Sequence, residues 1–132
     1  MFTCKELQSV VSGTYTDIDL KDLKAYTDYK GGYGSSSTHI KRFWESVAGF
    51  NLEEKTLLLK FVTSCPRPPL FGFKNLHPKF TIQRVDIYRD NDQLPTASTC
   101  FNTLKLPTYS SAKVMKMKLL YAIKSGAGFD LT

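Results

Sequence analysis

Cys100 is the residue whose setting invites chemistry. It follows Leu94-Pro95-Thr96-Ala97-Ser98-Thr99 and precedes Phe101-Asn102, then Thr103-Leu104-Lys105-Leu106-Pro107. Pro95 and the small hydroxylated residues upstream suit a loop. Downstream, Asn102, Leu104 and Leu106 alternate with Phe101, Thr103 and Lys105, the period of a half-buried strand. Pro107 ends the ladder because it has no N–H to donate. A thiol at a loop-to-strand join is held by the strand and reachable from the loop, as a nucleophile must be.

The thiol's surroundings limit what it could attack. A free cysteine titrates at about pH 8.5, so a few per cent is thiolate at neutral pH. Cleaving an amide demands more: a histidine base, a residue to orient it, and an oxyanion hole. The two histidines, His39 and His77, have no such partner set, and Ser98 and Thr99 are not strong bases. His77, within Asn75-Leu76-His77-Pro78, reads as a surface turn residue. Attack on a thioester is a smaller task, because the bond is already activated and the leaving group is another thiol. Acyl transfer from thioester to thiol therefore fits better than proteolysis. A non-catalytic basic module that binds protein is the competing class.

The elements that must position the thiol can be read in chain order. Thr3 to Ser12 reads as a short helix with a Thr3/Glu6 capping box, and Asp19 to Tyr26 as another with Leu20, Leu23 and Ala25 inward. Tyr29 to Ser37 contains Gly31, Gly32 and Gly34 and three serines, which reads as a linker without a stiff element. Thr38 caps a helix with Ile40, Phe43, Trp44 and Val47 on one face. Asn51 caps the next, with Glu54 at the capping-box position and Leu58, Phe61, Val62 and Cys65 buried. Pro66, Pro68 and Pro69 end that helix and lead into an extended path through Leu70 to Phe73. Phe80 to Ile87 alternates as a strand, and Arg89 to Gln93 is a polar turn. Ser110 or Ser111 caps a last helix with Ala112, Met115, Leu119 and Ile123 inward, ending at Gly126. The fold class is α+β: helices packed on a small, mostly antiparallel sheet, with a closing C-terminal helix.

Composition sets outer bounds. The chain of 132 residues is 42% hydrophobic and 23% charged, enough for one domain with a real core. No apolar run nears the roughly 18 residues a membrane span needs, so the expectation is a soluble chain with no membrane role. Three cysteines, Cys4, Cys65 and Cys100, make neither a disulfide framework nor a metal site. A reducing compartment, cytoplasm or nucleus, is the expected setting. Charge is uneven: residues 1–37 hold four lysines against five acids, and residues 38–132 hold fourteen Lys plus Arg against seven acids. The basic residues are scattered and match no nucleic-acid motif, so they read as a solvated basic surface, with a protein partner of complementary face as the alternative and nucleic acid not expected.

These residues also resemble a known family. Gly31-Gly32-Tyr33, Phe43-Trp44, Leu59-Lys60-Phe61-Val62-Thr63 with Arg67-Pro68-Pro69, Leu94-Pro95 to Asn102, and Gly128-Phe129 stand in the order and spacing of HECT-type ubiquitin-protein ligases. The resemblance implies three parts: residues 1–28 as the end of the N-terminal lobe, 29–37 as the inter-lobe hinge with Gly31, Gly32 and Gly34, and 38–132 as the C-terminal catalytic-cysteine lobe. It implies that Cys100 accepts ubiquitin as a thioester from a ubiquitin-conjugating enzyme and transfers it to a substrate lysine, with no cofactor. Thr99, Phe101 and Asn102 would support the nucleophile loop, and Phe129 and Asp130 would act from the tail. Full activity would need the larger lobe. Many members carry histidine two positions before the cysteine; Ser98 stands there instead, and a hydroxyl cannot replace that histidine as a base.

Overall fold

A computed structural model of the chain describes residues 19–64 and 72–125. The helix expected at 3–12, Cys4, Cys65, the Pro66–Pro69 run and the tail residues Phe129 and Asp130 lie outside the described residues. The described elements run in this order: α1 (Leu20–Ala25), β1 (Asp28–Lys30), α2 (Thr38–Ala48), α3 (Leu52–Thr63), β2 (Thr81–Val85), β3 (Thr96–Ser98), β4 (Thr103–Pro107) and α4 (Ala112–Ser125). A 3-10 turn spans Phe73–Asn75, and Leu70 and Phe71 of the expected extended path lie outside the described residues.

The helices form where periodicity and capping coincide. Asp19 accepts the backbone N–H groups of Lys21 and Asp22, starting α1. Asn51 and Glu54 close a reciprocal capping box on α3, satisfying two otherwise orphaned donors. In α2, Ile40, Phe43, Trp44 and Val47 are buried as their spacing requires. The cap itself is Ser37, not Thr38, and its hydroxyl is turned away to accept Gly34 N–H at 2.9 Å. Ser111 rather than Ser110 serves α4, accepting Val114 N–H at 3.2 Å. Met115, Leu119, Ala122 and Ile123 face inward from α4, which packs on α2 and α3.

The α+β class and the closing helix are as expected, but the sheet is not mostly antiparallel. Its order is β1-β2-β4-β3, with β1–β2 and β2–β4 parallel and only β3–β4 antiparallel. The reason lies in the connections. Two helices carry the chain from β1 back to the starting end of β2, which imposes parallel pairing. The chain then crosses to the far edge, forms β3, and returns as β4 between β3 and β2. Ile82, Leu104 and Leu106 lie fully buried under the helices.

Residues 29–37 also differ from the flexible stretch read above. Tyr29 and Lys30 belong to β1, Gly31 and Gly32 turn at φ 74° and 106°, and Tyr33 is buried with its hydroxyl donating to Leu106 O at 3.0 Å. A Cβ on Gly31 would lie 3.2 Å from Arg84 N and 3.3 Å from Arg84 O, so close approach explains that glycine. Sheet pairing and aromatic burial offset the entropy that glycine loses.

The preceding segment is tied down as well. Leu23 is in the core, and Leu20 and Leu23 line a small cavity with Val47, Leu58, Leu59 and Phe80. The Asp22 carboxylate accepts Phe73 N–H at 2.7 Å, and Asp28 N–H donates to Phe80 O at 2.9 Å. Ala25, read as inward, is exposed at the helix end. Leu23→Ala is therefore expected to lower the unfolding free energy by about 2–5 kcal/mol in urea denaturation. An unchanged midpoint would mean that α1 does not pack on the body.

Candidate active site

The site is built from the one antiparallel pair. Register places Ser98 opposite Thr103 and Ala97 opposite Leu104, leaving Thr99 to Asn102 to reverse the chain. Thr99–Phe101 form a single 3-10 turn, and Asn102 closes it at φ 49°, ψ 42°, the left-handed region. Asparagine enters that region more readily than most residues with a Cβ. Cys100 sits in this turn, exposed to solvent. Thr96 to Ser98, read as loop, are instead the edge strand β3. The thiol thus lies between two strands, with chain fixed on both sides.

Asn102 holds the turn to the rest of the sheet. Its side-chain amide donates to Pro78 O at 2.7 Å, and its backbone carbonyl accepts Thr81 N–H at 2.9 Å. Thr103 Oγ1 donates to Phe101 O at 3.0 Å. Thr99 contributes through its backbone, its carbonyl accepting Asn102 N–H at 3.4 Å. Phe101 contributes its backbone carbonyl to the turn, and the residue is 64% exposed. α3 packs against the turn and β3 from the other side.

Among the described residues Cys100 has no hydrogen-bond partner. His77 is exposed in the turn before β2, with no hydrogen bond to the thiol. His39 lies beside Tyr33 on α2, where burial and the nearby Arg42 and Arg84 hold it below the ordinary histidine range. Among the described residues no group of three or more His, Cys, Asp or Glu stands close enough to hold a metal ion. No described helix is long and apolar enough to cross a membrane. Gly31, Gly32 and Gly34 lie between β1 and α2, away from the turn that carries Cys100 in sequence.

The arm that leads into the site, read as a polar turn, is held by a contact that the sequence does not reveal. Residues 86–95 join β2 to β3, and Asp90 on that arm accepts both Ser110 N–H, at 2.9 Å, and Ser110 Oγ–H, at 2.6 Å. These bonds, the hydroxyl first, hold the Asp90 carboxyl below the ordinary aspartate range. A depressed native value means the clasp's contribution is complete above the usual aspartate titration and is lost only as pH falls through the lowered one. Twenty residues separate the partners, and neither has a local period to betray the contact.

The arrangement offers an accessible thiol on a fixed turn, without a bound base. That suits attack on an acyl group that is already activated. Two variants separate what Asn102 does. Asn102→Gly removes the amide bond to Pro78 but tolerates the left-handed backbone; Asn102→Ala removes the bond and adds strain. The alanine variant is expected to be less stable than the glycine variant by about 1 kcal/mol in urea unfolding. Equal stability would show that backbone conformation is not what selects asparagine.

Comparison with known proteins agrees with the motif order. A family model described as HECT-domain (ubiquitin-transferase) matches residues 1–132. The chain is similar to E3 ubiquitin-protein ligase HUL5 of Saccharomyces cerevisiae, at 52% identity over 132 residues, and covers 14% of that protein. It is 47% identical over 135 residues to E3 ubiquitin-protein ligase UPL6 of Arabidopsis thaliana, covering 13% of it. It is 43% identical over 155 residues to Ubiquitin-protein ligase E3B of Homo sapiens, covering 14%. In each case 100% of this chain is matched, so it spans only 13–14% of the length of these relatives. With a family match over its whole length, the chain belongs to the HECT-domain (ubiquitin-transferase) family.

Proposed function

We propose that Cys100 is the acyl acceptor of a ubiquitin-protein ligase. The observation that carries this reading is the exposed thiol on a turn anchored at both ends, at the position where the sequence resembles the family's nucleophile motif. In the first step the Cys100 thiolate attacks the thioester carbonyl that joins ubiquitin to a conjugating enzyme. A new S–C bond forms, the old one breaks, and the enzyme's thiolate leaves. In the second step a substrate lysine amine attacks, Cys100 leaves as thiolate, and the amine gives up a proton. No cofactor is needed, because the energy of both steps is already in the thioester.

Other parts of the reading follow from the family. Phe129 would position the incoming lysine, and Asp130 would take its proton. The conjugating enzyme would dock mainly on a larger N-terminal lobe preceding this chain. Residues 38–132 form the catalytic lobe, and residues 1–28 contain the end of the larger one. For the pivot between lobes we favour a position ahead of Asp19 over residues 29–37. Leu23 burial and the pairing of β1 with β2 support that choice. The reducing cytoplasm or nucleus is the setting in which the thiol stays available.

The full-length ligase, supplied with activated ubiquitin and a charged conjugating enzyme, should form an adduct that thiol reductants release. Intact-mass analysis should show the adduct in the wild type and none in Cys100→Ala. Cys100→Ser should trap an ester that resists those reductants. An adduct of unchanged yield in Cys100→Ala overturns the assignment, and a partner bound without any adduct favours a non-catalytic module.

A further inference from the structure

Between β2 and β3 the chain runs for ten residues, 86–95, without pairing as a strand. A local turn is closed by Asp92, whose carboxylate accepts Tyr88 N–H at 3.2 Å and Arg89 N–H at 3.0 Å. That turn alone does not place the arm on the body. Lys118 Nζ on α4 donates to Asn91 Oδ1 at 2.7 Å and Ile87 N–H donates to Thr108 Oγ1 at 3.2 Å, and the corner between β4 and α4 adds a further hold. Ser110 donates twice to Asp90, and buried Tyr109 donates its hydroxyl to Gln93 O at 2.6 Å. The corner is itself pinned from α2: Arg42 Nη1 donates to Tyr109 O at 3.3 Å and Ser110 O at 3.2 Å.

The arm feeds directly into β3, and β3 is weakly determined without it. This edge strand has three residues and pairs on one side only, with β4. Short edge strands slip and fray readily, and Cys100 lies two residues beyond the end of β3. A charged carboxylate accepting two hydrogen bonds is a stronger tether than neutral contacts supply.

We propose that Asp90 is a positioning residue for acyl transfer at Cys100, acting through Ser110 to hold the arm and β3 where the thiol meets a protein-borne thioester. The proposal rests on the assignment of Cys100 as acyl acceptor. Asp90 does not touch the reacting atoms. Its effect should appear in the rate of the transfer step and not in the intrinsic reactivity of the thiol.

The test uses the full-length ligase carrying Asp90→Ala, Ser110→Ala, both together, or Asp90→Asn. Single-turnover transfer from a charged ubiquitin-conjugating enzyme is followed at several donor concentrations. Alkylation of Cys100 by iodoacetamide is followed on the same proteins by peptide mass. Asp90→Ala should slow the saturating transfer rate about tenfold with the half-saturating donor concentration unchanged, and Ser110→Ala, which keeps its backbone N–H on Asp90, should slow it less. The double variant should be no slower than Asp90→Ala alone, because that substitution already removes both bonds of the clasp. Asp90→Asn, which keeps an acceptor oxygen, should fall between wild type and Asp90→Ala, and alkylation should match wild type throughout.

Wild-type transfer in Asp90→Ala, additive losses in the double variant, or a parallel fall in alkylation would each overturn the clasp. Should Asp90→Ala fail to fold, Ser110→Ala carries the same comparison by deleting one exposed hydroxyl. If Cys100→Ala still forms the adduct, the thiol assignment fails instead. If the adduct needs Cys100 while Asp90→Ala transfers normally, only the clasp fails.

Discussion

The amide of Asn102 donates to Pro78 O at 2.7 Å while its backbone occupies the left-handed region, and the whole site is organised by that pairing. A turn of four residues between antiparallel strands needs one residue that can reverse the chain without a steric penalty. The same residue must bind the turn to the neighbouring strand, or the thiol would swing with the sheet edge. Asparagine does both, since its short side chain reaches a carbonyl and its backbone tolerates positive φ. Thr81 N–H on Asn102 O completes the tie to β2. The Cys100 thiol can then stay exposed because its position is set by its neighbours and not by contacts of its own.

From that turn the constraints run outwards through the corner at residues 106–110. Tyr33 donates to Leu106 O, Arg42 to Tyr109 O and Ser110 O, and the corner in turn holds the arm through Tyr109 and Ser110. Elements distant in sequence thus converge on one short stretch of backbone. Arg42 spends its guanidinium on two neutral carbonyls, which ties α2 to the entrance of α4. Carbonyls at such a corner have no ladder partner, and a guanidinium can supply donors to more than one.

The chemistry and the architecture suit one another. Thioester exchange has an activated bond and a thiol leaving group, so accurate placement matters more than a resident base. Among the described residues nothing is bonded to the thiol that would act as one. Phe101, the next residue, adds exposed apolar surface to the same turn.

How much of this was legible in advance follows from the range of each interaction. Periodicity and capping act within four residues, so the Ile40, Phe43, Trp44 and Val47 face, the Asn51/Glu54 box and the Met115, Leu119 and Ile123 face could be read directly from the chain. The motif around Cys100, and with it the family, is equally a property of local residue order. Pairing in the sheet is not: whether β2 lies parallel to β4 depends on where two helices return the chain. Tyr29 to Ser37 is glycine- and serine-rich, yet it is ordered because Tyr33 finds a buried partner 73 residues away. Asp90 meets Ser110 across 20 residues for the same reason, whereas Ser37 loses its capping role to a contact only three residues away. Short-range periodicity is written in neighbouring side chains, whereas strand order, the edge position of β3 and the clasp arise only when distant segments share one core.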